Sequence, residues 1–472
     1  YAAHRTDNEL DAKHGFGSTV AAFVSASGGA SVGQYGPLVH FGATMGSFIR
    51  AFTGSKITTD VFIGCGVAAA IAAGFNSPIG GIIFAHEAIL RHFSFKAIAP
   101  IAVSSVVSAT VTNYFFPSGV LFQNTDSEIN LLSAVSFSLF LGPFCAIIAV
   151  FFMRSLLFLQ REASKISENE ISRILIAAVT VGVIGGLVPE VLGLGGSTIS
   201  DILDNNFSVQ FLVIILFLKL FVTVICLGMG FFGGVYSPAL VLGAAIGGAF
   251  TYLGNSLGVM DLGDTLILAA MAALSASVIG APIASIVIIF ELTHSYDLAF
   301  VAIICVAGSC LISSLIFGHS FFDKQLLNRD FKISRGRTDI LLSEYDVGSL
   351  LGKNSFLHFK VGASKAEVLN MFKENPDYTE AYLVDIKKVL KGKVKVNNLL
   401  DSSTSNYVVD EFPLFLRNTD TVSTAISKAS NFIGESIPVV SSTGELMGVI
   451  TEADLFLEYL DIQDKISQIE RD

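Results

Sequence analysis

The sequence predicts an all-α, polytopic membrane domain followed by a soluble α/β domain. Three observations carry that prediction: composition, the placement of charge, and an internal repeat. Of the 472 residues, 52% are hydrophobic and 15% charged, and mean hydropathy is +0.66. A soluble globular chain carries about 25% charged residues. Residues 330–472 hold 38 of the 69 charges. No Asp, Glu, Lys or Arg lies between Lys219 and Asp261, or between Asp264 and Glu291. Charge-free stretches of that length fit a bilayer core, and the C-terminal part has an ordinary soluble composition.

The apolar runs are 97–125, 131–152, 211–218, 221–260 and 265–290. Several exceed one span and are broken by Gly and Pro. Broken helices survive at membrane depth only inside protein or beside an aqueous cavity, and they point to a transport site. Ordinary membrane helices, themselves rich in Gly and Pro, are the competing reading. The repeat favours the transport site. Gly36-Pro37 followed by Gly42 and Gly46 recurs as Ser237-Pro238 followed by Gly243 and Gly247, at an offset of 201. Asn76-Ser77-Pro78-Ile79 leading to Glu87 recurs as Gly280-Ala281-Pro282-Ile283 leading to Glu291, at 204. Two related halves are implied, roughly 17–112 and 208–315, and the sequence leaves their relative direction open.

Gly33-Gln34-Tyr35-Gly36-Pro37 and Gly233-Gly234-Val235-Tyr236-Ser237-Pro238 each precede an apolar helical run. Pro suits a first helical turn, and Gly lets backbone approach a ligand. Free N–H groups at a helix start attract anions. Such dipoles hold an ion weakly enough to release it.

Other chemistries fall away. A formal charge of -11 and no basic patch argue against nucleic acid. Cys65, Cys145, Cys226, Cys305 and Cys310 lack metal spacing and read as small core residues. No zinc pattern or activated nucleophile emerges, so neither a metal site nor an enzyme is expected.

These motifs resemble the CLC chloride channel and transporter family. Gly33–Pro37 is similar to its G-K/R-E-G-P segment, Gly234–Pro238 to its G-x-F-x-P segment, and 73–81 to the stretch between them. The resemblance covers nearly all of 15–329. It implies a homodimer with one anion pore per subunit, each subunit an inverted repeat of tilted, broken helices. It also implies that the family's opening helices and anion-coordinating serine lie upstream of Tyr1, so the chain is expected to be N-terminally truncated.

By the same resemblance, Tyr35 stands where the family has its gating glutamate. A phenol, with a reference pKa near 10, stays neutral but still donates a hydrogen bond. It either plugs, narrows or coordinates the outer site, or it is a packing aromatic. Ala88 stands at the inner proton-transfer glutamate, with Glu87 before it. His86 is a candidate substitute, because histidine titrates near neutrality; a structural histidine is the alternative. His40 has a smaller claim. Phe322 takes the position of the family's inner tyrosine and lacks its hydroxyl. The backbone of Val235 and Tyr236 is the anticipated anion ligand. Glu87 and Glu291 occupy equivalent repeat positions and read as capping or salt-bridged groups, while Glu87, an acid at membrane depth, is also a proton-related candidate beside His86.

After a linker at 330–352, residues 353–472 resemble a tandem CBS pair. In the second copy 421–431 reads as a helix capped by Thr419 or Asp420, 436–440 and 446–450 as strands, and 451–454 as a helix start. Thr451 and Asp454 match the ribose-contacting T-x-x-D, so an adenine nucleotide is one expectation and a structural or dimerising pair the other. No cofactor is required. The expectation drawn from the two missing carboxylates is a passive anion channel, chloride by family default, voltage-gated chloride channel activity included. It sits in the plasma (inner) membrane with its tail cytoplasmic. The alternatives are a proton-coupled chloride antiporter with a substitute relay, and a non-conducting receptor or scaffold.

Overall fold

The computed structural model describes residues 10–53, 57–93, 95–117, 130–259, 262–328, 342, 345–352, 354–400, 407–430 and 432–471. The chain divides into two compact units, 1–333 and 334–472.

The first unit is all helical: α1 Ala12–Ser27, α2 Tyr35–Thr53, α3 Thr59–Phe75, α4 Pro78–Phe84, α5 Phe95–Phe115, α6 Leu131–Ile166, α7 Glu170–Leu187, α8 Gly196–Leu203, α9 Val209–Met229, α10 Tyr236–Ser256, α11 Gly263–Ile279, α12 Pro282–Thr293, α13 Tyr296–Phe317 and α14 Phe321–Leu327. Among the described residues, six helical segments are long and apolar enough to cross a membrane: α5, α6, α7, α9, α10 and Tyr296–Leu327. The unit is a multi-pass integral membrane domain. Its outer surface is apolar, with Phe95, Tyr114, Leu132 and Leu187 exposed, as lipid contact demands.

Local sequence explains where helices begin and end. Asn130, Ser208, Ser295 and Ser320 accept hydrogen bonds from the first turns of α6, α9, α13 and α14. Pro78 and Pro282 open α4 and α12, where a missing N–H costs nothing. The preceding helices end at repeat-equivalent left-handed residues, Asn76 (φ 51°) and Gly280 (φ 81°).

Glycine seams set the closest packing. A Cβ at Gly42 or Gly46 would lie 2.2 or 2.0 Å from the carbonyl oxygen of Gly66 or Phe62 on α3. One at the equivalent Gly243 or Gly247 would lie 2.7 or 2.6 Å from that of Ala270 or Leu266 on α11. Small residues four apart let two membrane helices touch along their backbones. A single apolar core joins these pairs to α6, α9, α12 and α13.

The second unit contains two three-stranded sheets of the same topology. β1 (Leu357–Lys360) pairs parallel with β2 (Glu380–Val384), which pairs antiparallel with β3 (Leu390–Lys395). β4 (Leu416–Arg417), β5 (Ile437–Val440) and β6 (Leu446–Ile450) repeat the pattern. Helices α15 (Lys365–Glu374), α16 (Val396–Leu400), α17 (Val422–Ala429) and α18 (Glu452–Arg471) complete the unit. Its α/β architecture is consistent with a CBS-like fold. The lobes clasp through Leu390 N–H donating to Gly444 O (3.0 Å) and Leu446 N–H to Lys388 O (2.9 Å).

Two details differ from expectation. The cap of α17 is Thr421, which accepts from Thr424 N–H, whereas Asp420 accepts from Arg417 N–H and Lys428. Of the expected linker, 330–341 lies outside the described residues, yet Val347 and Leu350 are buried in the second lobe's core.

Candidate anion pathway

The two glycine-rich helix starts meet. Gly33 N–H donates to Gly234 O at 2.7 Å and Gly234 N–H to Gly33 O at 2.6 Å, an antiparallel bridge. The approach requires glycine at both positions: a Cβ on Gly33 would sit 2.8 Å from Gly234 O, and one on Gly234 3.0 Å from Gly36 N. α2 and α10 leave from this crossing, and the first N–H groups of each have no acceptor within their own helix. Pro37 and Pro238 both occupy the third helical position, inside the first turn.

An aromatic group stands beside the crossing. The Tyr35 ring stacks on Phe75 with centroids 3.8 Å apart, and both meet Tyr236 edge-on, at 5.4 and 5.1 Å. The Tyr35 hydroxyl donates to Gly74 O at 3.3 Å. Tyr35 and Tyr236 are 201 positions apart, as are Gly33 and Gly234, so repeat-equivalent residues touch one another. Val235 and Tyr236 are buried, and Gln34 is exposed. The Tyr236 phenol lies beside Ser275 and Ser285.

Phe322 does not join this group. It is 41% exposed on α14, and its ring contact is with Phe321, at 5.6 Å. Its neighbour Asp323 pairs with Arg91 at the end of the turn that follows α4.

That turn, Ala85–Leu90, is a π-helix. His86 is fully buried there, stacked on Phe93 at 5.1 Å. Its Nδ1 lies 3.0 Å from His92 O, and its Nε2 has no hydrogen-bond partner among the described residues. Glu87 accepts from Ile283 N–H (3.0 Å) and Ala284 N–H (2.8 Å) at the start of α12. Glu291 accepts from Ile79 N–H (2.9 Å), Gly80 N–H (2.8 Å) and the Ser77 hydroxyl at the start of α4. Both carboxylates accept from the N–H groups of a helix start in the other half, a place where a carboxylate is favoured. His40 pairs with the Ser18 hydroxyl at 3.0 Å.

One buried charge escaped the sequence reading. Lys219 is fully buried in α9 and donates to the carbonyls of Val191 (2.9 Å) and Gly193 (2.9 Å). Gly193 N–H in turn donates to Gly29 O at 3.0 Å, and Thr223, one turn along from Lys219, bonds the Ser31 hydroxyl at 2.7 Å. Lys219 and Thr223 thus pin the segment that delivers Gly33. The available signal was a single lysine in an otherwise apolar 21-residue helix.

In the second unit Thr451 and Asp454 bond each other. Thr451 N–H and Oγ1 donate to Asp454 Oδ2 at 2.8 and 2.7 Å, and Asn354 Nδ2 donates to the same oxygen at 2.5 Å. Thr451 also lines a cavity of about 270 Å³ with Phe356, Tyr378, Tyr382, Glu380 and Glu435. Lys393 and Lys395 pair with Glu380.

A family model described as voltage gated chloride channel matches residues 1–314. The H(+)/Cl(-) exchange transporter ClcA of Vibrio vulnificus is 30% identical over 320 residues, spanning 64% of this chain and 67% of that protein. A solved structure of a slow cyanobacterial Cl-/H+ antiporter superposes with a TM-score of 0.64 at 18% identity, over 68% of this chain and 77% of the other. A CLC-type fluoride/proton antiporter gives 0.56 at 22% identity, over 63% and 73%. The passive-channel expectation is overturned by these relatives, which are named proton-coupled exchangers, and voltage-gated channel activity goes with it. Its physical premise was too narrow. The absence of carboxylates at two positions does not by itself decide between a channel and an exchanger, since other side chains also titrate. With two thirds of its length matched, the chain belongs to the voltage gated chloride channel family, a family of transport proteins and not of enzymes.

Proposed function

We propose that the protein exchanges chloride for protons across a membrane. The carrying observation is the 30% identity, over 320 residues, to a protein named an H(+)/Cl(-) exchange transporter. The meeting of two helix starts at Gly33 and Gly234 supports an anion site between the halves. In this reading the halves are inverted repeats, and the anion rests against the N–H groups that open α2 and α10. Tyr35, a neutral hydroxyl that both donates and accepts, passes a proton without carrying charge. His86 is the inner relay, and Glu87 is held as a cap. Phe322 narrows the inner path by bulk alone. The working form is a homodimer in the plasma (inner) membrane with a cytoplasmic CBS pair. Thr451 and Asp454 serve that pair as a helix cap, and an adenine nucleotide in the adjoining cavity would act as a regulator.

The test is a liposome assay with an imposed chloride gradient, no proton gradient, and valinomycin setting the potential. Proton uptake in fixed ratio to chloride efflux, at every voltage, is the expected result. Chloride efflux without that ratio would sink the exchange reading, and no flux of either ion would leave a receptor or scaffold.

A further inference from the structure

We infer that the Ser237 hydroxyl is a direct ligand of the transported anion; this rests on the anion reading of the crossing between α2 and α10. Ser237 is 5% exposed, and its Oγ is buried with no hydrogen-bond partner among the described residues. Buried hydroxyls elsewhere in the helices behave differently. Ser138, Ser275, Ser285, Thr251 and Thr293 each donate to the carbonyl four residues back. Ser237 is the second residue of α10, so the residue four back lies outside the helix. A buried hydroxyl left unsatisfied is costly and calls for a partner.

The geometry says what that partner is. Helical side chains tilt toward the N-terminus, so Oγ lies on the same side as the unpaired N–H groups of the first turn. Ser237 N is at the crossing itself, 3.0 Å from where a Cβ on Gly33 would stand. The N–H groups can only donate and the hydroxyl can donate with them, and several donors brought to one buried helix start fit an anion. The other helix start offers no such group, because Gly36 is the repeat equivalent of Ser237. The site is therefore lopsided: backbone donors from both halves, a side-chain hydroxyl from one.

Chloride binding to the detergent-solubilised full chain, measured by calorimetry, tests this with S237A and S237C. Cysteine keeps the volume but donates weakly, so it separates packing from hydrogen bonding. Both variants are expected to bind chloride about tenfold more weakly than the native protein. Their melting temperatures without chloride should match the native one. Native affinity in both variants would overturn the assignment. So would weakening in S237A alone, since that would be a packing effect, and so would a native protein that binds no chloride. Proton coupling measured on the same samples keeps the two readings apart. An uncoupled native protein whose S237A form still binds weakly would remove the exchange reading and retain this one.

Discussion

The two halves of the membrane unit share a frame and differ in what they mount on it. Each presents a glycine at the crossing, a tyrosine two residues on, a glycine seam and a capping glutamate. From proline to glutamate the offset is constant at 204, yet the left-handed residues that end these segments, Arg91 and His294, are 203 apart. The first half thus holds one extra residue, and the π-turn Ala85–Leu90 absorbs it, where the second half runs on as regular α12. Such turns are common at functional sites. His86 lies in that turn, and its repeat equivalent is Phe290. The difference is that an imidazole stands in the first half where the second has a phenyl ring, so the proton relay proposed above would belong to the first half alone.

Making the first half resemble the second is the sharpest way to break this comparison. H86F installs the second half's residue and is expected to lower proton movement about a hundredfold, the scale of a single acid–base group, while chloride still moves. Paired proton and chloride fluxes in liposomes check it, and unchanged coupling would place the relay elsewhere. Next in size are the seams. A methyl at Gly46 meets a carbonyl at 2.0 Å, against 2.6 Å at Gly247. Overpacking costs about 1–3 kcal/mol, so G46A should melt at a lower temperature than G247A in detergent. The reverse order would show that the first half yields more easily than its tighter packing suggests. The smallest effect concerns the caps. Glu291 holds three donors and Glu87 two. E291Q should therefore destabilise by about 2 kcal/mol and E87Q by about 1 kcal/mol, given the strength of charged hydrogen bonds. Thermal unfolding of both variants beside the native protein measures the difference.

Much of this architecture was legible in the sequence. Charge placement separated the two units, the 201 offset identified residues that touch in space, and the 204 offset paired two glutamates that each cap a helix of the other half. The strands at 436–440 and 446–450 were readable from short apolar runs closed by turns. Three things were not. Lys219 was hidden because its partners are backbone carbonyls, which leave no mark in the sequence. The orphaned hydroxyl of Ser237 depends on what does not approach it, a property of three dimensions alone. The exchange activity of the relatives was masked because Tyr35 and Ala88 carry no carboxylate.

The reciprocal caps restrict how the molecule can move. Glu87 closes on α12 and Glu291 on α4, so the two segments form a buckle fastened at both ends by charge. Rocking one half against the other, a common route to alternating access, would have to unfasten both ends at once and strand two carboxylates in a medium of low dielectric. The buckle ties the halves together at two points. Opening to either side would then be left to parts outside it: the Tyr35 ring, held by Phe75, Tyr236 and a hydrogen bond to Gly74 O, and α14, which Arg91 tethers through Asp323. If the protein exchanges ions as proposed, turnover would fall to the swing of a side chain and the shift of a short helix, with the frame standing still.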